Sequence, residues 1–138
     1  MKIIHNWDAD NCTATCIIKD KDLEFIGIAK CHPDDKQYAG AITGGYIAEG
    51  RAFIKMYQHT KNNVLKPQVQ VLEHTLHIIK GNKNYNPKDV AARKLEQELI
   101  RKKSNLEMIK RSIQNEKDNL KKYIESKDRL HQKLAKRS

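Results

Sequence analysis

The stretch ARKLEQELIRKKSNLEMIKRSIQNEKDNLKKYIESKDRLHQKL, residues 92–134, decides the fold because it carries an almost unbroken heptad repeat. Ten of the fourteen seam positions between residues 92 and 137 are apolar, and residues 90–138 contain no glycine or proline. This pattern predicts one long helix whose seam is buried by another helix. The a positions are Ala92, Leu99, Leu106, Ile113, Leu120, Lys127 and Leu134, and the d positions are Leu95, Lys102, Ile109, Glu116, Tyr123, Leu130 and Arg137.

The predicted helix is long for a chain of this size, because roughly 48 residues of helix span about 70 Å. We therefore expect much of it to pack on a second copy, which makes a homo-oligomer the predicted assembly. Lys102, Glu116 and Lys127 interrupt the seam, and such polar residues can fix register and oligomeric state. The alternative is that a helix of the same chain covers some levels of the seam and leaves others open.

Composition and charge indicate a small protein with an anionic partner. Of the 138 residues, 38% are hydrophobic and 32% are charged, which predicts a modest core. The net charge is +10, and residues 88–138 contribute most of it, with 16 basic against 8 acidic residues. A positive surface favours nucleotides, nucleic acid or acidic proteins. The alternative is a solvated helix whose interleaved charges form salt bridges along its surface.

The compartment predicted from the sequence is the cytoplasm. No apolar run approaches the ~20 residues that span a bilayer, so no membrane partner is expected. The first residues lack the apolar region of a signal peptide. Three cysteines, an odd number, argue against a secreted disulfide framework.

The N-terminal third predicts an antiparallel sheet. Residues 12–19 alternate between small apolar and polar side chains, and residues 23–31 are rich in strand formers. The two segments predict a hairpin, to which residues 2–7 add a third strand.

The remainder predicts helices, and the fold class is therefore α+β. A first helix covers about residues 38–60, where Gly40, Gly44, Ala48 and Ala52 recur at intervals of four and indicate close approach to a sheet or another helix. A break is expected at residues 61–63, followed by an amphipathic second helix from Pro67 that stops at Gly81 and forms an antiparallel hairpin with the long helix. The predicted division is a sheet (1–37), two helices and a turn (38–87, with Asn86 as a cap for the long helix) and a long basic oligomerising helix (88–138).

No motif of the sequence predicts an enzyme, a metal or a cofactor. The chain contains no nucleophile elbow, P-loop, dinucleotide fingerprint or paired-histidine zinc motif. Cys12, Cys16, Cys31 and His32 are a conceivable metal set, but Cys12 and Cys16 lie about 13 Å apart on an extended strand. Structural zinc ligands instead come in close pairs on turns, so we interpret the cysteines as small buried residues.

Arg51 is the first candidate binding residue. It occurs in a predicted helix of small and apolar residues, where a guanidinium must be paired or meet a ligand anion. The alternative is that its side chain extends out of the interface to solvent.

The turn before the long helix is the second candidate. Tyr85 and Asn86 can stack on and read a base, while Arg93 and Arg101 on the following helix can hold phosphates. The N-terminus of that helix adds partial positive charge. The alternative is a simple helix–helix turn with solvated basic residues.

The layout resembles the phage anti-Thoeris sponge family, which sequesters glycocyclic ADP-ribose. The resemblance rests on FIGIAKC at residues 25–31, on IAEGRA at residues 47–52 and on the long basic helix. It implies an N-terminal sheet, two long helices and assembly through the helices. It also implies a signal-binding recess between subunits, built from an aromatic ring, an amide and arginines, and a second site for cyclic oligonucleotides in some members. The matching residue types here are Arg51, Tyr85, Asn86, Arg93 and Arg101.

The predicted function is therefore a non-enzymatic sponge, active in the host cytoplasm if the protein is of phage origin. It would bind a cyclic nucleotide signal without cleaving it. The alternative is a nucleic-acid-binding or host-protein-binding phage factor with a basic coiled coil, although Glu96, Glu98 and Glu107 interrupt the basic surface. A third hypothesis is a purely structural coiled-coil adaptor.

Overall fold

The computed structural model describes residues 1–30 and 40–137, with side chains described through Leu130 and at Lys133. The expectations for Cys31 and His32, for the exact start of the first helix near residue 38, and for the seam side chains at Leu134 and Arg137 lie outside this description. The elements are β1 (Lys2–Asp8), β2 (Thr13–Asp20), β3 (Leu23–Lys30), α1 (Ala41–His59), a π-helical segment (Thr60–Leu65), α2 (Lys66–Lys80) and α3 (Val90–Arg137). The predicted α+β class is confirmed, with its small N-terminal antiparallel sheet and long C-terminal helix.

The sheet has the order β1-β2-β3 with both pairings antiparallel, so the predicted third strand is present. Asp20 pairs with Leu23 across a two-residue turn in which Lys21 adopts a left-handed φ of 56°. Because side chains alternate between the two faces of a strand, one face collects the buried residues. These are Ala14, Cys16 and Ile18 of β2 with Phe25 and Ala29 of β3.

Helix α1 packs on this face at very short range. A Cβ atom added at Gly27 would lie 2.0 Å from the Ala48 carbonyl oxygen, and one added at Gly44 would lie 2.9 Å from the Ala14 Cβ. Ala48 and Ala52 are fully buried. The predicted close approach of the small residues is therefore confirmed, except at Gly40, where an added Cβ atom would meet no described atom of another part of the chain within 4 Å.

The predicted break at residues 61–63 is wrong, because the chain is helical without interruption from Ala41 to Lys80. The segment Thr60–Leu65 widens into a π-helix, which ends where the Lys66 N–H donates to the Lys61 carbonyl. Pro67 follows at once, and its missing N–H coincides with the return to α-helical bonding. Polar residues such as Asn63 lower helix propensity only slightly, and the surrounding structure overrides that preference.

The chain forms two compact units. The sheet unit comprises Met1–Met56 and Ile113–Ser138, and the hairpin unit comprises Tyr57–Ser112. This division assigns the two halves of α3 to different units.

Within the sheet unit, the second half of α3 covers the face of α1 that is turned away from the sheet. A Cβ atom at Gly50 would lie 2.7 Å from the Leu120 Cδ2, and the rings of Tyr46 and Tyr123 have centroids 4.3 Å apart. Helix α1 is thus packed on both sides, by the sheet and by α3.

Within the hairpin unit, α2 and α3 run antiparallel as the sequence predicts. Lys80 pairs with Glu96 at 2.9 Å and Glu73 pairs with Lys103 at 3.0 Å, so residue numbers rise on one helix as they fall on the other. The buried residues of this unit are few. They are Leu65, Val69, Leu76 and Ala92.

Three positions of the α3 heptad seam are buried within the chain, whereas Leu130 is 51% exposed. Ala92, Ile113 and Leu120 are only 2%, 7% and 6% exposed. A second copy is not needed to bury these three positions. In the described part of the chain, no helix is both long enough and apolar enough to cross a membrane.

Candidate functional site

The segment between α2 and α3, residues 81–89, forms an ordered turn. Gly81 ends α2 with its N–H donating to the His77 carbonyl at 3.1 Å. The Tyr85 N–H then donates to the Asn82 carbonyl at 3.0 Å. These bonds give the turn a defined shape, so its side chains occupy defined positions.

Side chains of the turn also bond to its backbone. Asn82 Oδ1 accepts from the Asn84 N–H, and Asn86 Oδ1 accepts from the Lys88 N–H, both at 3.0 Å. Asp89 Oδ1 accepts from the Ala91 N–H at 3.0 Å, which makes Asp89 the cap of α3 rather than the predicted Asn86. Because the two asparagine oxygens are engaged, their NH2 groups are left to donate to a ligand.

Residues of this turn line an open recess of about 430 Å³, called the turn recess below. Tyr85 is half-buried in it, whereas Asn82, Asn84 and Asn86 are exposed. The recess thus combines an aromatic ring with several amides, the combination that the sequence predicts for this turn. Its lining residues are Ile79, Asn82, Asn84, Tyr85, Asn86 and Asp89.

The surroundings of the turn recess are electropositive. Residues 80–94 contain five basic side chains and one acidic side chain. Lys80 hydrogen-bonds to Glu96, and this carboxylate raises the pKa of the Lys80 ammonium above its usual value. Arg93 Nε donates to the Pro87 carbonyl at 3.4 Å, which holds the guanidinium beside the turn. The first turn of α3 adds partial positive charge.

Two of the five predicted site residues, Tyr85 and Asn86, line the turn recess. Arg93 does not line it but contacts the same turn through the Pro87 carbonyl. Arg101 lies eight residues further along α3, about 12 Å of helix rise, and forms an ion pair with Glu98. Arg51 belongs to the sheet unit, where its Nη1 donates to the Ile28 carbonyl at 2.7 Å.

Arg51 is exposed, and this hydrogen bond to a backbone carbonyl gives its guanidinium a partner within the chain. Lys55, one helical turn later, donates to the Ile26 carbonyl at the same distance of 2.7 Å. β3 is an edge strand, and these two cations occupy carbonyls that have no strand partner within the described sheet. Capping an edge in this way discourages association with another strand.

Asn82, Asn84 and Asp89 were not expected in the site. The sequence signal for the two asparagines is the repetition of asparagine at positions 82, 84 and 86. Which of these amides share one recess depends on the hydrogen bonds of the turn, and the spacing alone does not determine them.

The cysteines do not form a metal site in the described part of the chain, where no group of three metal-ligating side chains occurs. Cys16 is a buried free thiol, and burial, with a smaller contribution from Glu49, raises its pKa. Cys12 is also buried, as the sequence predicts, but it takes part in a disulfide.

Comparison of the chain with protein-family models, curated proteins and solved structures found no match in any of the three.

Proposed function

We propose that this protein is a non-enzymatic sponge that binds and sequesters a small cyclic nucleotide of the glycocyclic ADP-ribose type in the turn recess. The observation that carries the proposal is the convergence of Tyr85 and three asparagines on one recess of about 430 Å³ at the start of α3. This volume falls within the roughly 300–1,000 Å³ typical of small-molecule pockets.

Recognition of the base is assigned to the turn. The Tyr85 ring offers a face on which a base can stack. The NH2 groups of Asn82 and Asn86 donate to ring nitrogens or carbonyl oxygens, because their own oxygens are bonded to the turn backbone. A rigid turn of this kind loses little entropy when the ligand binds.

Recognition of the phosphates is assigned to the basic residues around the recess. Lys83, Lys88 and Arg93 form no ion pair within the described residues, so their charges are uncompensated. With its Nε on Pro87, Arg93 has both Nη groups left for a phosphate. Binding alone lowers the free concentration of the signal, so the proposed role in the cytoplasm requires no catalytic residue.

We also propose that the protein assembles through its helices. Both helices of the hairpin unit carry strongly exposed apolar side chains, which would be covered in an oligomer. A second copy would then supply an arginine such as Arg51 or Arg101 to the recess of the first. The exposed side chains are Val71, Ile78, Ile100 and Met108.

The sponge proposal is tested by incubating the full chain with glycocyclic ADP-ribose, removing unbound ligand by ultrafiltration, and heating the retained protein. We expect mass spectrometry to find the signal depleted from the filtrate and released intact by heat. A cleaved product would identify an enzyme instead and would overturn the proposal.

Substitutions test the assignment to the turn recess. Tyr85→Ala should weaken binding by about tenfold or more, because stacking on an aromatic ring contributes about 1–3 kcal/mol per base. Arg93→Gln should weaken it by about tenfold through loss of a charge-assisted hydrogen bond. The matched controls are Asn105→Ala and Arg111→Gln. Both residues are exposed on α3, away from the turn, and their substitution should leave binding unchanged. Equal losses in the controls would remove the site from the turn.

The second candidate function is binding of nucleic acid or an acidic host protein along α3. It is supported by Lys117, Lys121 and Lys122, which are exposed and form no ion pair within the described residues. This candidate predicts binding to duplex DNA that weakens steeply with added salt. It also predicts no loss of DNA binding in the Tyr85→Ala variant.

A further inference from the structure

A second recess, of about 400 Å³, lies in the sheet unit between β1 and α1 and is called the strand recess below. It is independent of the turn recess, since no residue is shared between the two. Most of its lining atoms are apolar. The lining includes His5 and Trp7 from β1 and Gly45, Tyr46 and Glu49 from α1.

The strand recess is lined in part by small residues, which leave its space unfilled. Ala14, Ala41 and Gly45 line it and are too short to fill it. The Trp7 side chain lies close against α1 beside the recess, because a Cβ atom added at Gly44 would lie only 3.3 Å from the Trp7 Cζ3. The half-buried Trp7 also packs against the main core, so this wall of the recess is preformed.

Two aromatic rings, Trp7 and Tyr46, line the recess from different elements. Tyr46 is supported from behind by Tyr123, whose ring centroid is 4.3 Å away. The Lys127 ammonium in turn lies 5.4 Å from the Tyr123 centroid, a cation–π distance. The Tyr123 ring, which packs against Tyr46, therefore already attracts one cation of the chain, the Lys127 ammonium.

The charge of the strand recess is opposite to that of the chain. Glu49 lines it, and its nearest ionisable neighbour among the described residues is His5, whose Nε2 lies 3.7 Å from the Glu49 Oε1. No lysine or arginine of the described chain is within ion-pair distance of Glu49. In a protein with a net charge of +10, this carboxylate lines the same recess as two aromatic rings, and no described lysine or arginine pairs with it.

We infer that the strand recess binds a small organic cation, with the alkylammonium class as its ligand. The ring faces of Trp7 and Tyr46 attract the cation, and Glu49 neutralises it. Aromatic rings combined with a carboxylate in a largely apolar recess favour a weakly hydrated ammonium over a metal ion, which would need several oxygen ligands.

The experiment uses the fluorescence of Trp7, because it is the single tryptophan of the chain. The full chain is titrated with tetramethylammonium chloride, replacing sodium chloride at constant ionic strength. We expect a saturable change in emission. The uncharged molecule tert-butanol, of similar shape, should bind at least about tenfold more weakly, because it lacks the cation–π and ionic attraction.

Two variants locate the effect. Glu49→Gln should weaken tetramethylammonium binding by about tenfold, whereas Glu24→Gln, an exposed glutamate on β3, should not change it. Tyr46→Phe should retain binding and Tyr46→Leu should weaken it, since only the former keeps the ring. Circular dichroism of each variant establishes that the fold is retained.

Three outcomes would overturn the inference. Equal binding of tert-butanol would make the recess merely apolar. Saturable binding of guanosine without binding of tetramethylammonium would make it a site for a neutral base. Absence of any saturable change in a folded protein would mean that the recess takes no such cation.

Discussion

The sheet unit and the hairpin unit are stabilised by different means. In the sheet unit, backbone approaches backbone, as where Gly27 meets Ala48, and the core residues are almost completely buried. In the hairpin unit, few side chains are buried, and two ion pairs, Lys80 with Glu96 and Glu73 with Lys103, join the helices.

The two units therefore differ in how freely their side chains can be exchanged. A close-packed interface tolerates almost no change in side-chain volume, because its atoms have nowhere to move. A polar turn between two helices can change its side chains without disturbing a core. The turn recess belongs to the second kind of structure, whereas the strand recess depends on the rigid packing of the first.

The largest expected effect tests the close packing of the sheet unit. Gly27→Ala would place a Cβ atom 2.0 Å from the Ala48 carbonyl oxygen and 2.5 Å from the Ala52 nitrogen. Backbone atoms cannot rotate away as a side chain can, so we expect a loss of at least about 3 kcal/mol in the free energy of unfolding. Urea unfolding followed by Trp7 fluorescence measures it, because Trp7 reports on the sheet unit.

The matched control for this prediction is Gly40→Ala. No described atom lies within 4 Å of a Cβ at Gly40, so its urea midpoint should stay close to that of the unsubstituted chain. If Gly27→Ala were as stable as Gly40→Ala, the close approach of β3 and α1 would be incorrect.

A smaller effect tests the packing of α1 on α3. Leu120→Ala should cost about 2–3 kcal/mol, because it removes a buried side chain above Gly50. Gly50→Ala alone should be neutral or destabilising, since its Cβ would meet the Leu120 side chain at 2.7 Å. In the Leu120→Ala background the same glycine substitution should stabilise by up to about 1 kcal/mol, because alanine favours the helix.

This change of sign is measured as a double-mutant cycle by urea unfolding. The exposed Leu130→Ala should combine additively with Gly50→Ala and serves as the control. Additivity of Gly50→Ala with Leu120→Ala would instead mean that the two residues do not touch.

The sequence predicted the elements of this molecule better than it predicted their contacts. Alternation along β2 and the heptads of α3 are local patterns, and both elements formed as expected. The helical continuity through Asn63 was not foreseeable, because a π-helical turn depends on its surroundings. Likewise, the pattern showed that the α3 seam needs a partner, but not that α1 of the same chain covers Leu120.

The residues of the two recesses also differ in how far the sequence predicted their proximity. Tyr85, Asn86 and Arg93 are close in sequence, so a turn was bound to bring them together. The partner of Arg51, the Ile28 carbonyl, is 23 residues away and follows from the register of the sheet against α1. His5 and Trp7 share a strand face, but their proximity to Tyr46 is a property of the tertiary fold.

The smallest expected effect tests how the hairpin unit is held together. Glu96→Gln should return the pKa of Lys80 from its raised value towards 10.5, because the carboxylate that stabilises the ammonium is gone. A pKa raised by folding means that the pair stabilises the folded state below the pKa of an unfolded lysine. This contribution disappears as the pH rises through the higher folded value.

The Tm difference between the unsubstituted chain and Glu96→Gln should therefore be largest at neutral pH and shrink in strongly alkaline solution. Circular dichroism follows the Tm, and NMR titration of the Lys80 side chain follows its pKa. Glu107→Gln is the control, because Glu107 pairs with Lys110 on the same helix and joins no second element. If both variants lowered the Tm equally, the cross-helix pair would have no special role, and the hairpin would be stabilised by its few buried side chains alone.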